Sequence, residues 1–205
     1  AGRLLVVQGT PGHASIPYGA RSAAYRVGDV LQQLGAVVPA VELGELWDAF
    51  VSARISDADL AERLRDPVRL DAALPHLGGI AGYAYAVSRV TISPTVLRAG
   101  STHNVIPGSG SIELDIRTLP GTSDDDVDDL LRAVLGPLSD EVEIQHLRGW
   151  KATASGTDTP LFAAIERAVE AVAGSSVVPI MAAGGSDARL FRELGVPAYG
   201  YGLLG

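Results

Sequence analysis

Three loops carry the residues whose types and spacing could do chemistry. The first, GTPGHASIP (residues 9–17), holds a lone imidazole, His13, in a stretch stiffened by Gly9, Pro11, Gly12 and Pro17 just after the apolar run LLVV. A loop so constrained holds something in place, and a histidine is the side chain that titrates nearest neutrality. Two structural roles compete with a functional one: capping a carbonyl, or packing against Tyr18. The second loop, STHNVIPG (101–108), feeds a strand ending ELDIR (113–117). Arg117 offers a planar fork suited to a carboxylate, and Asn104 offers an amide donor with a carbonyl acceptor, so that together they would make an anion anchor. The commoner fates are a turn residue for Asn104 and a pair with Glu113 or Asp115 for Arg117. The third loop, AAGGSDARLF (182–191), places Gly184, Gly185 and Ser186 between an apolar run and a helix start, where backbone amides form a ready anion site. The alternative is a plain turn capped by Ser186 or Asp187.

The four histidines, His13, His76, His103 and His146, show no HxH, HxD, HExxH or HxxxH spacing, and no metal site is assigned to any residue. A chain without cysteine has no disulfide, thiolate ligand or cysteine nucleophile. There is no GxSxG elbow and no phosphate-binding glycine loop, so no complete catalytic set is visible.

The elements that must position these loops follow from periodicity. RLLVVQ (3–8) reads as a strand, and the spacing of Ala20, Ala23, Ala24, Val27, Val30, Leu31 and Leu34 predicts a helix over 19–34 ended by Gly35. Residues 36–79 read as an all-helical insertion, with Ser56 as one N-cap and Asp66 before Pro67 as another. SRVTISPTVLR (88–98) is strand-like, but Pro94 demotes it to an edge or bulged strand. SIELDIRTL alternates as a half-buried antiparallel strand. TSDDDVDDLLRAVLG is a helix capped by Thr122 or Ser123, its aspartates massed at the positive end of the dipole. EVEIQHL is the last strand. Without the insertion the order is βαββαβ, a ferredoxin-like α+β domain over residues 1–149.

After the linker GWKATASGT, residues 150–205 change to helix, apolar run, helix, apolar run. VVPIMAA (177–183) is apolar on both faces, like a strand inside a parallel sheet. Two strands and two helices cannot cover each other that way, so this segment reads as the α/β remnant of a larger domain. Ala1 in place of an initiator methionine points the same way, to a processed product or an excised fragment.

The 205 residues, 47% of them apolar, are enough to bury a core. A net charge of −8 and a pI near 4.9 argue against nucleic acid or an anionic membrane as partner. No apolar run approaches the roughly 18 residues of a membrane span, and the first residues show no signal-peptide pattern. The expected compartment is the cytoplasm.

The segments GTPGHASIP, HNVIPGSGSIELDIRTLPG and GGSDARLFRELGVPAYGYG, in this order and spacing, resemble the M20 family of dinuclear zinc metallopeptidases and aminoacylases. The resemblance covers nearly the whole chain and implies a lid or dimerisation domain followed by part of a catalytic domain. It implies that His13 stabilises an oxyanion in the partner subunit's active site. It implies also that Asn104, Arg117, Gly184, Gly185 and Ser186 hold the carboxylate of a small peptide or N-acyl amino acid substrate. The family's HxD element and Glu-Glu pair have no counterpart here. Two zinc ions are therefore expected in the intact homodimeric enzyme and none on this chain, which alone should be inactive. The competing expectation is a non-catalytic ferredoxin-like module for dimerisation or small-ligand binding, which would have no use for residues 159–205.

Overall fold

Strand β1 (Gly2–Gln8) turns Arg3, Leu5 and Val7 inward, and β5 (Ser109–Arg117) turns Gly110, Ile112, Leu114 and Ile116 inward. The alternation expected of half-buried strands is thus the one that builds the sheet. In the computed structural model, which describes residues 1–202, these two strands lie at the centre of a four-stranded antiparallel sheet. Strand β3 (Thr91–Ala99) is one edge and β6 (Val142–Leu147) the other, giving the order β3-β5-β1-β6. Pro94 sits on the edge strand as expected, and the β3–β5 register slips between Pro94 and Val96. A separate two-stranded ribbon pairs β2 (Gly12–His13) with β4 (Val105–Ile106).

Helix α1 (Ala23–Ala36) packs against β1, β3 and β5, with α6 (Asp124–Leu135) beside it. The βαββαβ order read from the sequence is the one observed, so the α+β, ferredoxin-like expectation holds. Gly110 permits the helix to approach the sheet, because a Cβ there would lie 2.7 Å from Val27 Cγ2. Two helix limits differ from expectation. Helix α1 starts at Ala23, since the Ser22 hydroxyl accepts from the Ala24 N–H, and it runs past Gly35 to Ala36. Ser123, not Thr122, caps α6, and it exchanges hydrogen bonds with Asp126 in a reciprocal capping box.

The aspartates of α6 do more than answer the helix dipole. The guanidinium of Arg3, 1% exposed on the inner face of β1, meets Asp128 at 2.6 Å and Asp124 at 2.8 Å. His146 on β6 closes the cluster against Asp128 at 2.8 Å, a structural role. Hydrogen bonding from Arg3 holds the Asp124 carboxyl below the usual range. Burial pushes Asp128 up, but the hydrogen bonds and charges of Arg3 and His146 outweigh it and leave that carboxyl low as well.

The chain divides into two compact units. One comprises residues 1–39, 91–118 and 122–151, the sheet with α1 and α6; the other comprises 40–90, 119–121 and 152–205. The helical insertion thus groups with the segment after the linker. Its helices α2 (Glu45–Arg54), α3 (Ala58–Arg65), α4 (Leu70–Ala73) and α5 (Ala81–Val87) enclose Trp47, Phe50, Leu64, Leu70 and Leu74. Asp57, not Ser56, caps α3, its carboxylate accepting from the Asp59 and Leu60 amides. Asp66 accepts from the Val68 N–H in the turn before α4. Arg89 is fully buried, paired with Asp71 and lying over the Tyr85 ring at 4.2 Å.

In the same unit, α7 (Pro160–Ala173) is capped by Thr159 and short α8 (Ala188–Glu193) follows. The segment 177–183, expected as a buried strand, has no ladder among the described residues: an extended chain becomes a strand only when a neighbour takes up its N–H and C=O groups. The apolar run over 196–204 is likewise without a ladder as far as residue 202, and its end lies outside the described residues. No described helix is long and apolar enough to cross a membrane.

Candidate functional site

Gly9 sets the course of the histidine loop. Its N–H donates to the Gly108 carbonyl at 2.8 Å, and a Cβ in its place would lie 2.2 Å from the Arg21 carbonyl oxygen. Only glycine allows three segments to pass this closely. Beyond it, His13 faces Val105 across the β2–β4 ribbon and the Ala14 N–H donates to the Asn104 carbonyl at 3.0 Å. The first two loops singled out in the sequence are therefore one structure, with His13 and Asn104 both exposed at its tip.

The imidazole is oriented from within its own loop. Nδ1 of His13 lies 2.7 Å from the Ser15 hydroxyl and accepts from the Ser15 backbone N–H at 3.3 Å. A backbone N–H can only donate, so Nδ1 carries the lone pair and the ring proton of the neutral form sits on Nε2. The loop thus presents an Nε2–H donor outward. Neither structural alternative is found: Nδ1 caps no carbonyl, and Tyr18 is 98% exposed. Ser15 was missed in the sequence; a hydroxyl residue two places after a loop histidine was the available signal.

Arg117 stands elsewhere. Residue 110 of β5 pairs with Ala99 and residue 117 with Thr91, so the strand runs its full length between the loop end and Arg117. From Ser109 to Arg117, eight steps at about 3.4 Å make that roughly 27 Å. Asn104 and Arg117, expected to act together, do not meet within one chain. The guanidinium pairs with Asp115 at 2.7 Å, the structural fate weighed for it; both groups are about half exposed, so the pair is loosely held.

Gly184, Gly185 and Ser186 are exposed in the second unit. A Cβ at either glycine would meet nothing, and neither has a left-handed φ, so packing does not require glycine there; its effect is to leave the backbone amides uncovered. Of the two caps considered, Asp187 takes the N-cap position of α8 without a side-chain hydrogen bond, while the Ser186 carbonyl accepts from the Arg189 N–H. Arg192, at the other end of α8, donates to the carbonyls of Thr153 (3.1 Å) and Ala198 (2.6 Å) and to the Ser155 hydroxyl (3.1 Å).

Residues 1–143 match the M20 family's peptidase dimerisation domain. The chain belongs to this family. The M20 chain is also similar in fold to an M20 family metallo-carboxypeptidase from Sulfolobus solfataricus, with a TM-score of 0.62, 19% identity, and coverage of 95% of this chain and 48% of that one. A di-peptidase from Saccharomyces cerevisiae gives 0.58 and 16%, covering 96% and 45%, and human carnosine dipeptidase 1 gives 0.53 and 16%, covering 94% and 46%. The chain thus spans about half the length of these M20 structures. Among the described residues no group of three or more His, Asp or Glu side chains is placed to hold a metal ion.

Proposed function

We propose that this chain is the lid, dimer interface and carboxylate anchor of an M20-type hydrolase that cleaves a peptide or N-acyl amide bond beside a free carboxylate. The two zinc ions of the intact enzyme, and the water they activate, would belong to residues other than those described here. His13 donates its Nε2–H to the oxyanion that forms at the amide carbonyl. Arg117 takes the substrate carboxylate, with Asn104 supplying its amide from the lid of the other protomer, and the Gly184–Ser186 amides are a further carboxylate-binding segment. The observation that carries this reading is the separation of the His13–Asn104 tip from Arg117 along β5. Residues that far apart in one chain serve one small substrate only if two chains contribute, as a two-fold dimer through the sheet domain would allow.

The test is subunit complementation in the full-length protein. A His13→Ala subunit and an Arg117→Ala subunit are each inactive as homodimers, yet a mixed dimer regains one intact site if His13 and Arg117 act across the interface. Mixed dimers as dead as the parents would show that the two residues serve the same chain's site, or none.

A further inference from the structure

We infer that the helical insertion holds the anion-anchor loop in position through Tyr83, which makes Tyr83 a positioning residue for carboxylate recognition. The inference rests on the reading of Gly184–Ser186 given above. Tyr83, on α5, donates its hydroxyl to the Met181 carbonyl at 2.7 Å, three residues before Gly184 and 98 residues away in sequence. The ring is held by the insertion's core: Phe50 meets it edge-on at 6.1 Å and Trp47 lies against Phe50 at 5.7 Å. Met181 packs its side chain on the same cluster. Burial pushes the Tyr83 hydroxyl pKa up, so it remains a donor throughout the neutral range.

The loop after Met181 needs such a hold. Residues 182–187 belong to no helix or strand, and nothing packs where a Cβ of Gly184 or Gly185 would be. Its direction is decided at its ends: α8 is fixed by Arg192 to Thr153, Ser155 and Ala198, and Met181 is fixed by Tyr83. A backbone anion site works only if its amides already point at the ligand. The insertion, which shows no catalytic chemistry of its own, is thereby given a task.

Tyr83→Phe isolates the hydroxyl, because phenylalanine keeps the ring contact with Phe50. Tyr85→Phe, on the same helix with its ring over Arg89, is the control. Two measurements apply to the full-length protein: the rate at which proteinase K cuts within 182–187, followed by mass spectrometry, and steady-state hydrolysis of an N-acetyl amino acid and of its carboxamide. In Tyr83→Phe the 182–187 loop is cut faster. KM for the acid rises about fivefold, the factor of one lost neutral hydrogen bond, while kcat and the carboxamide kinetics hold. Tyr85→Phe changes neither. Unchanged cleavage and KM in Tyr83→Phe, or the same loosening in Tyr85→Phe, overturns the inference. A wild-type enzyme that treats acid and carboxamide alike overturns the anchor reading instead, and the cleavage rates then decide the role of Tyr83 alone.

Discussion

Ser15 meets the imidazole of His13 twice, its hydroxyl 2.7 Å and its backbone N–H 3.3 Å from Nδ1. The backbone contact fixes which nitrogen is the acceptor, and the hydroxyl holds the ring in that orientation. The consequence is a donor, Nε2–H, directed out of a loop that Gly9 and the β2–β4 ribbon anchor to the sheet domain.

Truncating this pair should separate chemistry from stability. In the full-length protein His13→Ala is expected to lower kcat by about 100-fold, the scale of a lost oxyanion donor, with Tm unchanged because the ring is exposed. Ser15→Ala keeps the backbone contact and is expected to lower kcat only a few-fold, roughly one hydrogen bond. Equal losses in the two variants would show that the hydroxyl does more than orient the ring.

Gly9→Ala tests the close approach. A Cβ 2.2 Å from the Arg21 carbonyl oxygen and 2.7 Å from the Ala23 nitrogen meets backbone on both sides, which cannot rotate away. Urea denaturation should show a loss of about 2–3 kcal/mol. Gly35→Ala, where a Cβ meets nothing in helical backbone, should be neutral or stabilising in the same experiment.

Arg3→Met leaves the largely buried Asp128 carboxylate, and the half-exposed Asp124 beside it, without the guanidinium that neutralises them from β1. A loss of about 3 kcal/mol is expected, and adding Asp128→Asn to the variant should restore part of it. The pH dependence follows from the depressed carboxyls of Asp124 and Asp128. At neutral pH both are ionised in the folded and unfolded chain, so their contribution is full. Below the ordinary aspartate value of about 4 the unfolded chain takes up protons first, and stability falls as pH drops toward the lower folded values. Thermal melts should lose less stability over that interval in Arg3→Met than in the wild type.

Ser123→Ala removes one half of the capping box on α6. Asp126 loses the hydroxyl partner that helps to keep its carboxyl low, and the Asp126 N–H loses its acceptor. A loss of about 1 kcal/mol is expected by chemical denaturation. Thr122→Ala, at the other residue considered for this cap, should change little.

Local rules made much of the fold legible. Alternation marked β5 with its inward Ile112, Leu114 and Ile116, proline chemistry marked the Pro94 strand as an edge or bulged one, and capping chemistry narrowed the start of α6 to Thr122 or Ser123. These depend on neighbours within about one turn or one strand, which adjacent residues specify. The limits of α1 and the cap of α3 were missed by a few residues, because several side chains there could accept the same amide and only the backbone path selects one. The apolar run at 177–183 was read as a strand from composition, yet a strand also needs a partner that composition does not supply.

The sequence by itself determined the βαββαβ order and the three loops that carry the M20 resemblance, since each lies in contiguous residues. Tertiary structure alone decided what those loops do to one another. It joined His13 to Asn104 across some 90 residues, set Arg117 at the far end of β5, and turned Asp124 and Asp128 from helix-start residues into partners of Arg3. It also tied Tyr83 to Met181. Each of these is a contact between groups distant in the chain, whose geometry follows from strand register and packing and leaves no trace in local spacing.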